Sequence, residues 1–383
     1  MAQAGSANAR NGFEVDGWTH LLSGLMSRHR DAFIRLGNLE TRLQGDALED
    51  VTVRQPVYVA GLARSGSTTL LEMLAWHGDV TTHRYRDFPL LHLPYAWNRF
   101  LDFTPRACRE PAERAHGDGI LVTPESPEAF EEVLWMSFFP DLHDPSVSAV
   151  LGRDVRAPAF EAFYRDHIRK LLLLRGGRRY ASKGNYNVTR LGYLQRLFPD
   201  ARLLIPVRDP VWHVASMMKQ HRLFCRAQEG NPRASAHLRR AGHFEFGADR
   251  RPINVGNAET TAEILSYWAS GDEVTGWALY WRDIHAFLAD CLDRDADLKA
   301  ATLVVPFESL CADPAGTLER MLSHCGLEPD TGLLQRAREH VRFPGYYQPG
   351  FDSSELEVIE RLTADVADRL GVPVGGADVA LRQ

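Results

Sequence analysis

Pro56-Val-Tyr-Val-Ala-Gly61-Leu-Ala-Arg64-Ser-Gly66-Ser-Thr68-Thr69 is the stretch that decides the fold. Its first half is a short apolar run ending in glycine, the pattern of a buried strand. Gly61 and Gly66 stand at the spacing of G-x-x-x-x-G-K-[ST], with Ser67 where the lysine would be. The residues from Thr69 to His77 then read as helix. Strand, glycine loop and helix in this order make an anion cradle, because backbone N–H groups at the turn and the helix N-terminus point at one place. Ser65, Ser67, Thr68 and Thr69 add hydroxyl donors and Arg64 adds a cation. A plain Gly/Ser turn capping a helix is the simpler alternative. The missing lysine, and the lack of a convincing acidic residue at a strand end to hold magnesium, suit an anion chain bound without a metal.

Further along, Arg179–Lys183, Arg202–Val207 and Thr302–Val305 read as strands. Helical stretches over 188–197, from about 211, over 273–291 and over 314–325 alternate with them. This order predicts an α/β fold, a P-loop-type parallel sheet flanked by helices on both faces. Residues 1–50 read as a helical N-terminal extension. Residues 51–383 read as one domain with insertions at about 98–128 and 219–258. Ser126 and Pro127 look like the cap and first residue of a helix running to about Phe138. The stretch 219–251 holds eight Lys/Arg and reads as a mobile basic lid, or as a merely solvated loop.

A second anion site follows the third strand. Arg208-Asp-Pro210 leaves the strand end, with Ser216 eight residues after Arg208. A planar guanidinium grips two oxygens of one phosphate. Read alone, the same residues describe a helix-start turn. Together with the glycine loop they suggest a nucleotide with separate 5′ and 3′ phosphates.

These motifs resemble the sulfotransferases that use 3′-phosphoadenosine-5′-phosphosulfate (PAPS). The loop Ala63-Arg-Ser-Gly-Ser-Thr68 is similar to the family's 5′-phosphate loop, and Arg208, Asp209, Pro210 and Ser216 to its 3′-phosphate motif. Phe198-Pro-Asp-Ala-Arg202 and Val305-Pro-Phe-Glu-Ser-Leu310 add to the likeness. Together the matches span about residues 56–326 and look closest to the tyrosylprotein and glycan branch and to bacterial stand-alone enzymes. Ala63 in place of proline and Thr69 in place of leucine depart from the pattern, and a C-terminal R-K-G-x-x-G-D-W loop is absent.

The resemblance implies sulfuryl transfer from PAPS to a hydroxyl or amine, releasing adenosine 3′,5′-bisphosphate without a metal. It implies Arg64, Ser65, Gly66, Ser67, Thr68, Thr69, Arg208 and Ser216 as donor-binding residues. Arg64 and Lys183 are the cations for the transferred group. The expected base is Asp87, twenty-three residues after Arg64, with His92 and His83 as rivals. A kinase or nucleoside triphosphatase and a non-catalytic bisphosphate-binding protein are the alternatives.

Composition agrees with an ordinary globular chain. Of 383 residues, 44% are hydrophobic and 25% charged, and the formal charge is -6. That charge argues against bulk binding to nucleic acid. Five cysteines without Cys-x-x-Cys spacing argue against a disulfide framework or zinc site. No secretory segment and no run of about 18 apolar residues is visible, so a cytoplasmic protein without a membrane span is expected. A small molecule, glycan, lipid or peptide remains open as acceptor.

Overall fold

The computed structural model describes residues 13–103, 110–114, 116–117, 120–343 and 348–375. Three helices open it: α1 (Gly17–Arg28), α2 (Arg30–Leu43) and α3 (Gly45–Glu49). Then come β1 (Val57–Ala60), α4 (Ser67–Ala75), β2 (Val80–Thr81), α5 (Pro94–Phe103), a small hairpin of β3 (Ala112–Glu113) and β4 (Leu121–Val122), α6 (Glu131–Phe138) and α7 (Pro158–Arg175). The middle of the chain supplies β5 (Arg179–Gly184), α8 (Leu191–Leu197), β6 (Arg202–Val207), α9 (Pro210–Gln228), α10 (Pro232–Ala241), α11 (Ala258–Ser270) and α12 (Glu273–Arg294). The end supplies α13 (Ala296–Ala300), β7 (Thr302–Pro306), α14 (Phe307–Ala312), α15 (Pro314–His324), α16 (Thr331–His340) and α17 (Ser353–Arg369).

The main sheet is parallel throughout, in the order β2-β5-β1-β6-β7. Strand alternation separates two cores. Tyr58 and Ala60 of β1 and Leu203, Ile205 and Val207 of β6 face one side, packed with α7, α8, α9 and α12. Val57, Val59 and Leu204 face the other, packed with α4, α14, α15 and α16. Because both faces are covered, β1 and β6 are apolar at almost every position rather than at every second one. The expected fold class is the observed one.

β5 and β6 follow one another in the chain yet flank β1 on opposite sides. Such a switch opens a crevice beyond the carboxyl ends of the strands, where α/β folds bind ligands. The register aligns Val59 with Lys183 and with Leu204. Lys183, the loop after Ala60 and Arg208 after Val207 therefore reach the same edge.

Several expectations need correction. Ser126-Pro127 does not start a helix. Pro127 lies extended in a bridge with Arg84, Glu128 N–H donates to His83 O at 3.0 Å, and α6 begins only at Glu131. Residues 219–258 are not a loose lid. They hold the end of α9, all of α10 and a segment packed through Phe244, Phe246, Ile253 and Val255. Four of its arginines are paired: Arg239 with Asp249, Arg250 with Glu273, Arg251 with His143 O and Arg240 with His20 O. The insertion near 98–128 contains the second half of α5 and the β3–β4 hairpin, and residues 104–109, 115, 118 and 119 lie outside the described part. Cys108 falls there too, while Cys225, Cys291, Cys311 and Cys325 are free thiols.

Candidate functional site

The site is built on the loop between β1 and α4. Gly61 is held because a side chain there would meet Pro206 and Ser65 within 3.0 Å. Gly66 takes a left-handed φ of 99°, and a Cβ on it would come within 2.5 Å of the Phe307 ring. Arg64 also sits at positive φ, 75°, which costs a non-glycine residue on the order of 1–2 kcal/mol. The strain is offset by contacts from beneath. Trp281 Nε1 donates to His213 Nδ1 at 3.1 Å, so Nε2 carries the proton and donates to Ala63 O at 2.9 Å. Burial holds this imidazole neutral, its pKa well below the ordinary value. Arg208 Nη1 reaches Arg64 O at 3.5 Å.

The loop has the features of an anion cradle. α4 starts at Ser67, and its N-cap Gly66 offers no side-chain cap, so its first backbone N–H groups are open to a ligand. Ser65 is fully buried and its hydroxyl has no hydrogen-bond partner. Ser67 is buried, and Thr68 and Thr69 are half-buried on the first turn. The residues fit a bound phosphate or sulfate ester that accepts from these donors.

Two cations converge on Thr68. Lys183 Nζ donates to its Oγ1 at 2.6 Å and Arg114 Nη1 at 3.2 Å. Lys183 is buried, and desolvation lowers its pKa from the ordinary lysine value. Glu128 Oε1 lies 3.7 Å from Lys183 Nζ. Burial alone would raise the Glu128 pKa, but Lys183 and Arg114 outweigh it and hold the carboxyl at about 2. Beside this group, Glu245 accepts from Asn185 at 2.6 Å and pairs with His243 at 3.6 Å.

On the β6 side, Arg64 Nε donates to Ser216 Oγ at 3.3 Å. The Arg208 guanidinium lies 4.9 Å from the Phe307 ring centre and 5.8 Å from that of Phe343. Trp212 packs edge-on against Phe343 at 4.8 Å. Glu308 accepts from Asp209 N–H at 3.1 Å, and burial pushes its carboxyl up to about 7. The structure thus brings Arg64, Ser65, Gly66, Ser67, Thr68, Thr69, Lys183, Arg208 and Ser216 to one edge.

It does not bring Asp87 or His92 there as open bases. Asp87 is buried and saturated. Both its oxygens accept from Arg175 Nη2 at 2.6 and 2.8 Å, and Asn98 and Arg84 N–H add bonds at 2.9 and 2.8 Å. Burial would raise its pKa, but His83 and Arg175 drive it far below the carboxylate range. His83 is enclosed between Asp87 and His167. His92 is buried beside Phe33 and Phe163 with Nε2 on Ser137 at 3.0 Å, and burial lowers it to about 4. What Asp87 does is anchor residues 83–87, whose backbone bonds hold 124–128 and so place Glu128. Glu131 and Glu132 are interior, bound by Tyr164 and Tyr180 and by Arg190 and His143.

Sequence reading missed Glu128 because Ser-Pro-Glu reads as a helix start. Arg114 stood in a polar segment but carried no motif. Phe343 lies far from any recognised spacing. Among the described residues no cluster of acidic, histidine or cysteine side chains could hold a metal ion. None of their helices is long and apolar enough to cross a membrane.

With this geometry in place, the comparisons with known proteins agree. No curated protein matches the chain. Among solved structures, the sulfotransferase STF9 from Mycobacterium avium superposes with a TM-score of 0.52 at 15% identity, covering 88% of this chain and 82% of that one. The sulfotransferase STF1 from Mycobacterium tuberculosis gives 0.46 at 18% identity, over 91% and 86%. The first of these similarities shows the fold. Residues 56–241, which carry both anion motifs and Lys183, match the family model described as "Sulfotransferase family", and it is this stretch of the chain that is similar to that family.

Proposed function

We propose that this protein transfers the sulfuryl group of PAPS to a hydroxyl or amine acceptor. The observation that carries the reading is that one residue joins the two anion sites. Arg64 extends from the 5′ loop to Ser216 of the second motif, and its carbonyl is met by Arg208. A ligand with phosphates at both 5′ and 3′ positions is the natural occupant of two such linked sites.

PAPS supplies a sulfuryl group on a phosphate leaving group. The chain's part is to bind and orient it, and to balance charge that spreads over the transferred group. Arg64, Lys183 and the Thr68 hydroxyl hold the transferred group and the 5′ phosphate. Arg208 and Ser216 hold the 3′ phosphate. Glu128 takes the acceptor's proton as the new S–O or S–N bond forms and the S–O bond to the leaving phosphate breaks. At rest Lys183 and Arg114 suppress its proton affinity. When those cations turn to ligand oxygens, the affinity rises toward that of an ordinary carboxylate. The reaction needs no metal in this reading. The setting is cytoplasmic, and the acceptor is a small molecule, glycan, lipid or peptide.

Calorimetric titration with adenosine 3′,5′-bisphosphate and with ATP, each with and without magnesium, tests the proposal. Metal-independent preference for the bisphosphate supports it. Preference for ATP with magnesium would assign the loop to nucleoside triphosphates instead.

A further inference from the structure

The late segment Val305-Pro-Phe-Glu-Ser-Leu310 has no part in the proposed reaction, yet the fold sets it against both anion sites. β7 pairs with β6 in register, Pro306 beside Val207, so the chain leaves both strands at the same edge. Phe307 follows directly, and its ring limits Gly66 and lies 4.9 Å from the Arg208 guanidinium. Glu308 comes next, and its Oε1 accepts from Asp209 N–H at 3.1 Å. Asp209 in turn caps α9 by accepting from Val211 N–H at 2.9 Å. One carboxyl therefore fixes the peptide unit that joins Arg208 to Asp209.

The surroundings of that carboxyl select its protonation state. Glu308 is buried, and its Oε2 has no hydrogen-bond partner. It makes no ion pair with a described residue. Asp209 and Arg208 face it from the turn before α9, and Cys311 from one turn further along α14. β7 carries no charged residue. On α15, Glu319 and Arg320 are exposed, and His324 is held at Ala301 O beside the opposite end of β7. Asp209 repels a charge on Glu308, and Arg208, placed over the Phe307 ring, compensates only in part. Burial without a bonded counter-ion favours the neutral acid. The rise of this carboxyl to about 7 agrees with that.

We propose that Glu308 positions the 3′-phosphate motif as a neutral acid, and that a nucleotide with a 3′ phosphate draws a proton from solvent onto its carboxyl, a proposal that rests on reading Arg208 and Ser216 as the 3′-phosphate site. The bound phosphate brings negative charge to Arg208, the nearest cation to Glu308. An ionised Glu308 loses that support as the site fills, while a protonated one does not. Near pH 7 the free protein carries this proton in about half of the molecules and the complex in nearly all. Affinity for the bisphosphate therefore falls as pH rises above 7, since the ligand then has to bring the proton in with it. A nucleotide without a 3′ phosphate causes no such uptake.

The test is calorimetric titration with adenosine 3′,5′-bisphosphate between about pH 6 and 8.5, in buffers of different ionisation heat, on the full chain, Glu308→Gln and Glu308→Ala. Comparing the unsubstituted protein with Glu308→Gln at each pH cancels the ionisation of the phosphate itself. The unsubstituted protein should take up about half a proton more than Glu308→Gln at pH 7. Its affinity relative to that variant should fall about five- to tenfold across the range, as for a tenfold rise in the proton affinity of one carboxyl. Glu308→Ala should bind more weakly than Glu308→Gln, because the Asp209 N–H loses its acceptor. If Glu308→Ala does not fold, as circular dichroism reports, the comparison with Glu308→Gln decides alone. Bisphosphate binding with parallel pH profiles for the unsubstituted protein and Glu308→Gln overturns the proposal and leaves the donor site standing. The same pH-dependent difference with adenosine 5′-monophosphate overturns it too, because Glu308 then does not answer to the 3′ phosphate. A preference for ATP with magnesium removes the 3′-phosphate site itself, and this role of Glu308 with it.

Discussion

Lys183 Nζ stands 2.6 Å from Thr68 Oγ1 and 3.7 Å from Glu128 Oε1, so one ammonium ties the end of β5 to the glycine loop and to an acidic side chain. The three residues come from separate parts of the chain. Lys183→Met should weaken adenosine 3′,5′-bisphosphate binding by about 10- to 100-fold, the worth of a charge-assisted hydrogen bond in a shielded site. Thr68→Val should follow it with a smaller loss. Calorimetry on both variants checks the assignment, and unchanged affinity in Lys183→Met would remove Lys183 from the donor site.

Arg208 and the loop should answer to different phosphates. Arg208→Ala is expected to reduce affinity for adenosine 3′,5′-bisphosphate at least tenfold and to leave affinity for adenosine 5′-monophosphate nearly unchanged. Equal losses for both nucleotides would mean that Arg208 acts only by supporting the loop through Arg64 O.

Asp87 and Glu128 should separate stability from chemistry. Asp87→Ala leaves Arg175 buried without its carboxylate, which costs about 3–5 kcal/mol. Glu128→Gln keeps shape and a hydrogen-bonding group and should leave the melting temperature within a few degrees. With PAPS and an active acceptor, its turnover should fall by about 100-fold or more, as for loss of a general base. Thermal melts and turnover of the two variants check this. A stable Asp87→Ala protein, or a fully active Glu128→Gln one, contradicts the division of roles.

Two carboxyl groups of the site should give stability opposite pH trends. Glu128 has a folded pKa lowered to about 2, so its contribution is full above the unfolded value near 4.5 and is lost as pH falls toward 2. Glu308 has a folded pKa raised to about 7, so the unfolded chain loses its proton first and stability falls as pH rises from about 4.5 to 7. Glu308→Gln should therefore raise the melting temperature at pH 8 relative to the unsubstituted protein and change it little at pH 5. Melting curves at the two pH values decide it, and an equal effect at both would mean that Glu308 titrates normally.

The sequence alone determined four of the five strands of the main sheet, all but β2 (Val80–Thr81), together with the loop and both anion motifs. Val57–Ala60 and Arg202–Val207 are apolar at almost every position because both faces of the sheet are covered, and that requirement leaves a local trace. Gly61, Gly66 and Arg208-Asp-Pro210 are legible for a similar reason: turn geometry and helix starts are set by neighbours in the chain. The tertiary structure decided the rest of the site. Glu128 meets Lys183 because Asp87, bound to Arg175 eighty-eight residues further on at the end of α7, pins the bridge of Arg84 with Pro127. An Asp held by such a partner and an Asp open to substrate are the same letter in the sequence. Burial and the far ends of long-range ion pairs tell them apart, and those exist only once the chain is folded.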